Sequence, residues 1–306
     1  MTLHLTSQES SIVAGAEGEA AAMAMRIIAE MGRLLGAAKL IAVESSHIDG
    51  ALYHGDSGVH FAERLVAAGA KVKIPTTLNV GGLDLLHPKR VHADPHRRAM
   101  ALRLMRAYEA MGCQPTWTCS PYQAGHRPRL GSDVAWGESN AVAFCNSMLG
   151  ARTNRYGDFL DICCALIGRA PCYGLHIPEN RLATIVVDCS ALSPALKASD
   201  VFYPVLGAWY GAEIGNGIGV FDGLPPTVSE DQVKALGAAA ASSGAVGLFH
   251  LAGITPEAPT AAAARGHRPP QRTVRLTADM LRAARDRLST TKGEAIDAVA
   301  LGSPHF

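Results

Sequence analysis

Residues 40–74 read LIAVESSHIDGALYHGDSGVHFAERLVAAGAKVKI. The apolar run Leu40–Val43 predicts a strand, and a polar loop, Glu44–Gly50, follows it. Segment Ser57–Ala68 predicts a helix, and Lys71–Ile74 predicts a second strand. A strand, loop, helix and strand within about 35 residues are typical of a βαβ unit, in which the two strands run parallel.

The same alternation continues on both sides of this stretch. The spacing of apolar residues predicts further helices at 8–35, 94–112, 138–149, 158–167 and 277–288. Further strands are predicted at 116–118, 183–187, 246–250 and 298–301. This pattern predicts an α/β fold with largely parallel sheets. Breaks in composition at 207–226 and 255–270 predict weak boundaries between two or three α/β subdomains.

The composition excludes several classes of protein. The 306 residues are 48% hydrophobic and carry a formal net charge of +1, which excludes a disordered chain and gives no global attraction to nucleic acid. All seven cysteines lie between residues 113 and 189, and their odd number predicts reduced thiols. Because the sequence shows neither a signal peptide nor a long apolar run, we expect a cytoplasmic protein without membrane contact.

Polar clusters stand where strands lead into helices, the edge of an open α/β sheet at which ligands bind. Gly55, Asp56 and Ser57 open a helix, and they predict either an anion site or an ordinary N-cap. The run Thr76-Thr77-Leu78-Asn79 predicts either hydrogen bonds to a small polar ligand or a plain turn. Cys119 follows a predicted strand, which leaves open a ligand role or a place in the core.

A further polar cluster begins at Glu138 and Ser139 and continues through Asn146. It ends in the run Arg152-Thr153-Asn154-Arg155, which suits a carboxylate held by guanidinium groups or, alternatively, a solvated loop with ion pairs. The sequence has no phosphate-binding loop, dinucleotide fingerprint or Gly-x-Ser-x-Gly elbow, so nucleotide and acyl-transfer functions lack support. Without a Cys-x-x-Cys pair, zinc is weakly supported too.

Taken together, the residues in these clusters and their order along the chain resemble those of the aconitase X family of hydro-lyases. The resemblance covers nearly the whole chain. The motifs that carry the resemblance are Ser46-His47-Ile48-Asp49-Gly50, the segment 54–63, Pro75-Thr76-Thr77-Leu78-Asn79, Thr118-Cys119-Ser120-Pro121-Tyr122, Glu138-Ser139-Asn140-Ala141-Val142, Asn146-Ser147, the segment 150–155 and Gly302-Ser303-Pro304-His305. The resemblance implies an aconitase-like layered α/β architecture with largely parallel sheets and helices on both faces. It also implies that residues 1–306 are the large catalytic region of a longer protein.

The resemblance further implies dehydration of a small hydroxy acid at an iron–sulfur cluster of unspecified nuclearity, or at iron. Cys119 matches one cluster-ligand position, Ser303 matches a second that is Cys in archaeal members, and the third lies beyond residue 306. The family also carries a small swivelling domain or subunit, which we expect outside residues 1–306. The catalytic base is left unassigned, and an aconitase-like serine of that small domain is one candidate.

Family members dehydrate either cis-3-hydroxy-L-proline, giving a cyclic imine (a pyrroline carboxylate), or mevalonate 5-phosphate. The ending Gly-Ser-Pro-His-Phe resembles the bacterial kind, so we expect the hydroxyproline dehydratase, a carbon–oxygen lyase. The alternatives are the mevalonate 5-phosphate enzyme and a non-catalytic relative that binds a small acid without a cluster. The expected substrate contacts are Gly55, Asp56, Ser57, Thr76, Thr77, Leu78, Asn79, Glu138, Ser139, Asn146, Arg152, Arg155 and His305.

Overall fold

The structure is a computed structural model, and it describes residues 2–90, 94–290, 293 and 295–299. Its described helices are α1 (Ser7–Val13), α2 (Glu19–Leu34), α3 (Asp56–Ala67), α4 (Pro95–Ala110), α5 (Ser139–Phe144), α6 (Leu160–Ile167), α7 (Pro194–Lys197), α8 (Phe202–Ile214), α9 (Glu230–Gly244), α10 (Ala261–Ala264) and α11 (Ala278–Arg287). Its described strands are β1 (Leu40–Ala42), β2 (Ser46–Ile48), β3 (Thr76–Leu78), β4 (Ala135–Trp136), β5 (Arg169–Pro171), β6 (Ile185–Asp188), β7 (Gly219–Asp222), β8 (His250–Leu251) and β9 (Arg272–Arg275). A π-helical turn, Cys145–Leu149, and two 3₁₀ turns, Gly174–His176 and Pro178–Arg181, complete the set.

The described residues fall into two compact units. The first comprises Met1–Glu138 and Arg152–Ile177, and the second comprises Ser139–Ala151 and Pro178–Phe306. The breaks predicted at 207–226 and 255–270 both lie inside the second unit, so the number of subdomains stays a prediction. The predicted strand 298–301 extends past the described residues, and Ser303 and His305 lie outside them.

The first unit contains a parallel sheet in the order β3-β2-β4 and an antiparallel pair, β1-β5. Helix α3 connects β2 to the parallel strand β3, so these elements form a βαβ unit. The apolar faces of α2, α3, α4 and α6 supply the core, in which Met25, Ile48 and Leu65 are completely buried. Burying side chains of this size contributes about 1.5–3 kcal/mol each, and this core fixes the sheet whose edge carries the polar residues.

The second unit contains a parallel sheet in the order β8-β7-β6-β9. The predicted α/β fold with largely parallel sheets is therefore confirmed. The helix predicted at 277–288 is confirmed as α11, whose N-cap Thr277 accepts a hydrogen bond from the backbone of Met280. The composition break at 207–226 contains regular structure, namely the end of α8 and all of β7.

Several predicted boundaries are wrong for identifiable reasons. The predicted helix 8–35 is two helices, because Gly15 and Gly18 adopt φ of 101° and 90° between α1 and α2. The polar segment predicted as a loop contains β2, since partners within the sheet satisfy its polar side chains: Ser46 Oγ donates to Ala135 O at 2.6 Å. Residues 71–74 do not form the predicted strand, because the backbone N–H of Lys73 donates to Ala165 O and not to a neighbouring strand. The strand that follows α3 is β3, a few residues later.

The predicted strand at 116–118 is also wrong. Gln114, just before this segment, forms an isolated parallel bridge with Thr77 of β3. Trp117 then adopts a φ of 48°, a left-handed conformation that a bulky residue rarely takes and that interrupts strand pairing. The interruption leaves Cys119 in a loop rather than at the end of a strand.

Helices α8 and α9 of the second unit pack closely at glycines. A Cβ atom on Gly211 would lie 2.1 Å from Ser243 Oγ and 2.5 Å from Ala240 O. A Cβ atom on Gly207 would lie 2.2 Å from Leu236 O. These distances are far below van der Waals contact, so the spacing of the two helices depends on the absence of side chains at both positions.

We expect Gly211→Ala to destabilise the protein by about 1–3 kcal/mol, because overpacking outweighs the higher helix propensity of alanine. Urea unfolding monitored by circular dichroism measures the change. The control is Gly58→Ala in α3, where a Cβ atom would meet no heavy atom within 4 Å. This control should stabilise by about 0.5–1 kcal/mol. Equal midpoints for the two variants would contradict the close packing.

No helix of the described residues combines the length and the hydropathy that crossing a bilayer requires.

Candidate functional site

The polar residues of the first unit converge at the carboxyl ends of its parallel strands. Asp49 follows β2, Asn79 follows β3 and Gly137 follows β4. Asn79 Nδ2 donates to Asp49 Oδ1 at 2.7 Å, and its backbone N–H donates to Ile48 O at 2.9 Å. This is the edge at which open α/β sheets bind ligands.

A fully buried carboxylate on α6 holds this edge together. Asp161 Oδ2 accepts the backbone N–H of Asp49 at 2.7 Å, and Asp161 Oδ1 accepts that of Ile162 at 2.6 Å. Gly137 makes the close approach feasible, since a Cβ atom there would lie 2.5 Å from Tyr156 O and 2.9 Å from Asp161 Oδ2. Burial raises the pKa of Asp161 well above its ordinary value, although both backbone donors oppose the shift.

Asp49 is half-buried and is the carboxylate at this edge that is most suited to exchanging a proton. Burial raises the pKa of Asp49, the hydrogen bond from Asn79 lowers it, and the charge of Asp158 raises it further. His54 and Arg155 act on the same pKa in the lowering direction. A half-buried carboxylate with a raised pKa fits a role in proton transfer.

His47, buried in β2, and His126, a half-buried loop residue, both lie next to Thr77 of β3. Thr77 Oγ1 lies 2.8 Å from His47 Nδ1 and 2.8 Å from His126 Nδ1. Trp136 packs against both rings, with centroid distances of 5.7 Å to His47 and 5.0 Å to His126. Burial lowers the pKa of His47 to about 3, helped by the charge of His126, and lowers the pKa of His126 to about 4.

The structure brings some of the predicted contact residues together. Thr76, Thr77 and Leu78 form β3 and are buried, and Asn79 joins them at the Asp49 carboxylate. Thr76 Oγ1 donates to Ile74 O at 2.8 Å, whereas Thr77 lies between the two imidazoles. Of this group, Thr77 and Asn79 therefore have polar atoms in the converging network.

The predicted anion site at the start of α3 is exposed. Gly55 is the N-cap residue of α3 and has an extended conformation, and Ser57 lies in the first turn of this helix. Asp56 itself places a negative charge there, and its Oδ1 accepts a hydrogen bond from Tyr53 Oη at 2.7 Å. This hydrogen bond lowers the pKa of Asp56. A carboxylate of the protein thus already lies at this helix start, and a substrate role for these residues stays a prediction.

The two arginines predicted to hold a carboxylate differ in their surroundings. Arg152 is half-buried, its backbone bridges to Asp133, and its Nε lacks a hydrogen-bond partner among the described residues. Arg155 is exposed and near enough to Asp49 to affect its pKa. Glu138 is buried at the end of the first unit.

Ser139 and Asn146 belong to the second unit. Ser139 begins α5. Asn146 Oδ1 accepts from Arg181 Nη1 at 2.9 Å, and Asn146 Nδ2 donates to Gly247 O at 2.9 Å. The oxygen and the nitrogen of this side-chain amide both form hydrogen bonds within the second unit. A role for Asn146 in substrate binding therefore stays a prediction, and it requires that one of these hydrogen bonds be replaced by one to the substrate.

Sequence reasoning assigned no role to five residues that organise these networks, although it named the first two within a family motif: His47, Asp49, His126, Asp161 and Arg181. The register of the sheet identifies two of them. His47 pairs with the predicted contact residue Thr77, and Asp49 is the first residue after the same strand, β2. Arg181 lies in a short 3₁₀ turn with no pattern of its own.

An iron–sulfur cluster needs several ligands, and the described residues do not fit a complete one. Cys119 is buried, and the described residues contain no group of three histidine, cysteine, aspartate or glutamate side chains placed to hold a metal. Other buried thiols are poor candidates, since burial raises the pKa of Cys113 to about 12 and stabilises its protonated form. We therefore derive no chemical step through a cluster.

Comparison with known proteins assigns the family. The model of the aconitase X first domain matches residues 2–179, and that of the aconitase X second domain matches residues 183–286. The chain belongs to the aconitase X family. A crystal structure of aconitase X from Thermococcus kodakaraensis, described as the holo-form, matches with a TM-score of 0.83 and 35% identity, covering 94% of this chain and 70% of that one.

Other aconitase X relatives carry enzyme names. The cis-3-hydroxy-L-proline dehydratase of Pseudomonas aeruginosa is 44% identical over 99% of this chain and 52% of its own length. The phosphomevalonate dehydratase large subunit of Methanothermobacter thermautotrophicus is 39% identical over 99% of this chain and 74% of its own length. The chain spans about half the length of the cis-3-hydroxy-L-proline dehydratase that it matches.

Proposed function

We propose that this chain forms the large part of a hydro-lyase that dehydrates cis-3-hydroxy-L-proline to a cyclic imine. The observation that carries the proposal is the 44% identity, over 99% of the chain, to a dehydratase named for that substrate. The site supports the same reaction class, since Asp49 follows β2 at the carboxyl edge of the sheet and burial raises the pKa of its carboxylate.

In the proposed reaction, a base takes the proton from C2 of the substrate, and the C3 hydroxyl leaves with a proton as water. The electron pair of the C2–H bond becomes the C2=C3 double bond, and the resulting enamine tautomerises to the imine. Asp49 is our candidate for the base, because its raised pKa makes the carboxylate a stronger proton acceptor. Arg155 supplies a positive charge for the substrate carboxylate.

The proposal also covers what lies outside the described residues. The family resemblance implies an iron–sulfur cluster, with Cys119 and Ser303 at ligand positions and a further ligand past residue 306. It also implies a small swivelling domain or subunit, and we expect the enzyme in the cytoplasm.

The deciding experiment is an anaerobic assay of the longest protein that the gene encodes, supplied with iron and sulfide. Formation of the cyclic imine from cis-3-hydroxy-L-proline supports the proposal. Turnover of mevalonate 5-phosphate instead would favour the second candidate, which the 39% identity to a phosphomevalonate dehydratase large subunit supports. Iron-free protein without turnover of either compound would favour a small-acid-binding relative.

We expect Asp49→Asn to lower kcat about 10²-fold or more, because general-base catalysis contributes roughly 10²–10⁴-fold. KM should change less, since the asparagine keeps an oxygen that accepts from Asn79. Steady-state imine formation measures both constants. The matched control is Asp279→Asn in α11, whose side chain is 89% exposed, and it should keep kcat within about twofold. An Asp49→Asn variant with unaltered kcat would remove Asp49 as the base.

A further inference from the structure

Asp133, His176 and Tyr156 form a chain of short polar contacts in the first unit. His176 Nδ1 lies 2.7 Å from Asp133 Oδ1, and His176 Nε2 lies 2.6 Å from Tyr156 Oη. The side chain of Asp133 is 28% exposed, whereas those of His176 and Tyr156 are 0% exposed. Because the tyrosine is completely buried, this chain of contacts acts on the protein around it and does not touch a bound molecule.

One arrangement of the protons satisfies all of these contacts. A carboxylate only accepts, so His176 Nδ1 donates to Asp133. In the neutral ring, Nε2 then accepts the one proton that the Tyr156 hydroxyl has to donate. Asn154 Nδ2 donates to the same Oη at 3.3 Å. The Tyr156 hydroxyl is therefore held from two directions, which fixes the position of its ring.

His176 lies in a 3₁₀ turn that also holds Asn154. Asn154 Oδ1 accepts the backbone N–H of Leu175 at 2.9 Å, and Asn154 Nδ2 donates to Tyr173 O at 3.1 Å. Gly174 permits this approach, since a Cβ atom there would lie 2.2 Å from Asn154 Oδ1. The turn therefore receives the Asn154 amide through its backbone and the Tyr156 hydroxyl through its histidine.

Arg155 is the residue between these two anchored side chains. It is exposed, whereas its neighbours Asn154 and Tyr156 are buried. The backbone N–H of Tyr156 also donates to Trp136 O at 3.1 Å, at the end of β4. The charge of Arg155 lowers the pKa of Asp49, the candidate base. With both neighbours held, the backbone of Arg155 cannot shift without breaking buried hydrogen bonds.

We propose that His176 is a positioning residue that, through Tyr156, fixes the backbone from which Arg155 reaches the substrate carboxylate. A guanidinium group binds a carboxylate best when two N–H donors are aligned with its two oxygens, so the position of the arginine backbone matters for affinity. Small displacements of a positioning group are costly for the same reason. This inference rests on the proposed function, in which Arg155 supplies the charge for that carboxylate.

A double-mutant cycle on the full-length, iron-loaded enzyme tests the inference, with KM and kcat for cis-3-hydroxy-L-proline as readouts. His176→Phe should raise KM about tenfold, as expected for about 1.4 kcal/mol. It should leave kcat within about twofold, because carboxylate binding is common to the ground state and the transition state. In the Arg155→Gln background, adding His176→Phe should change KM by less than about twofold, since the group that His176 positions is gone.

Two tyrosine variants separate positioning from a general loss of stability. Tyr156→Phe removes only the hydroxyl that His176 contacts, so it should also raise KM, and it replaces His176→Phe in the cycle if that variant does not fold. The matched control is Tyr203→Phe, which removes a buried hydroxyl that donates to Lys197 O at 3.0 Å in the second unit. This control should keep KM within about twofold. Equal increases of KM in both tyrosine variants would overturn the inference.

The outcomes separate this inference from the proposed function. If the enzyme forms imine but His176→Phe raises KM by the same factor with Arg155 and with Gln at that position, the histidine is only structural. The inference then fails and the function stands; an unaltered KM in Tyr156→Phe has the same consequence. If the enzyme turns over mevalonate 5-phosphate instead, the proposed substrate fails, and the cycle is read on the KM of that compound, which also carries a carboxylate. Protein without turnover of either compound contradicts both.

Discussion

Replacing Arg181 by methionine is expected to destabilise the second unit by about 3–5 kcal/mol, the usual cost of removing one partner of a buried ion pair. The Arg181 side chain is 3% exposed, and its Nε lies 2.9 Å from Glu257 Oε1. Its Nη2 also donates to the carbonyl oxygens of Asn146 at 3.0 Å and of Ala151 at 3.2 Å. Methionine fills a similar volume but leaves the carboxylate and both carbonyl groups without these donors.

Urea unfolding measures this change, and an exposed ion pair provides the control. Arg272 pairs with Glu213, and both side chains are nearly half exposed. Arg272→Met should therefore cost less than about 1 kcal/mol. The double variant Arg181→Met/Glu257→Met should recover part of the loss, because it removes the unpaired carboxylate as well. Equal effects of the two single arginine variants would contradict the structural role of Arg181.

Acid is expected to destabilise the first unit through the imidazoles of His47 and His126, because burial lowers the pKa of both. The pKa of His47 falls from 6.5 to about 3 on folding, and that of His126 from 6.5 to about 4. Below pH 6.5 the unfolded chain binds protons that the folded protein does not, so stability present above pH 6.5 is lost as the pH falls toward these values. From pH 6.5 to 4.5, the pair should remove roughly 4 kcal/mol, at about 1.4 kcal/mol per proton and pH unit.

Asp161 acts in the opposite direction, because its raised pKa makes the folded protein take up a proton as the pH falls. The histidine contribution is therefore read as a difference between variants. Urea unfolding at pH 6.5 and pH 4.5 should show about 4 kcal/mol less acid sensitivity in the variant His47→Gln/His126→Gln. His60→Gln, at an exposed position of α3, should match the unsubstituted protein. Identical acid sensitivity in all three proteins would show that folding leaves the pKa values of the two imidazoles unchanged.

The two halves of the candidate site differ in how far local pattern predicted them. Thr77 and Asn79 were predicted because they stand where a strand ends, and the structure places both in the polar network. Their partners His47 and Asp49 lie in a segment that reads as a polar loop, since it lacks the apolar run that identifies a strand. That segment forms the central strand because neighbouring strands satisfy its polar side chains.

By itself, the sequence determined the α/β class, the family resemblance and the separate polar clusters, because apolar periodicity and turn residues act over a few neighbouring positions. The tertiary structure alone decided which clusters meet. Asp161 reaches Asp49 across 112 residues of chain, and Arg181 reaches Glu257 across 76. Such contacts depend on strand register and on close backbone approach at Gly137, neither of which has a local signature. Burial, which follows from the same packing, then sets the pKa of each group and hence its chemistry.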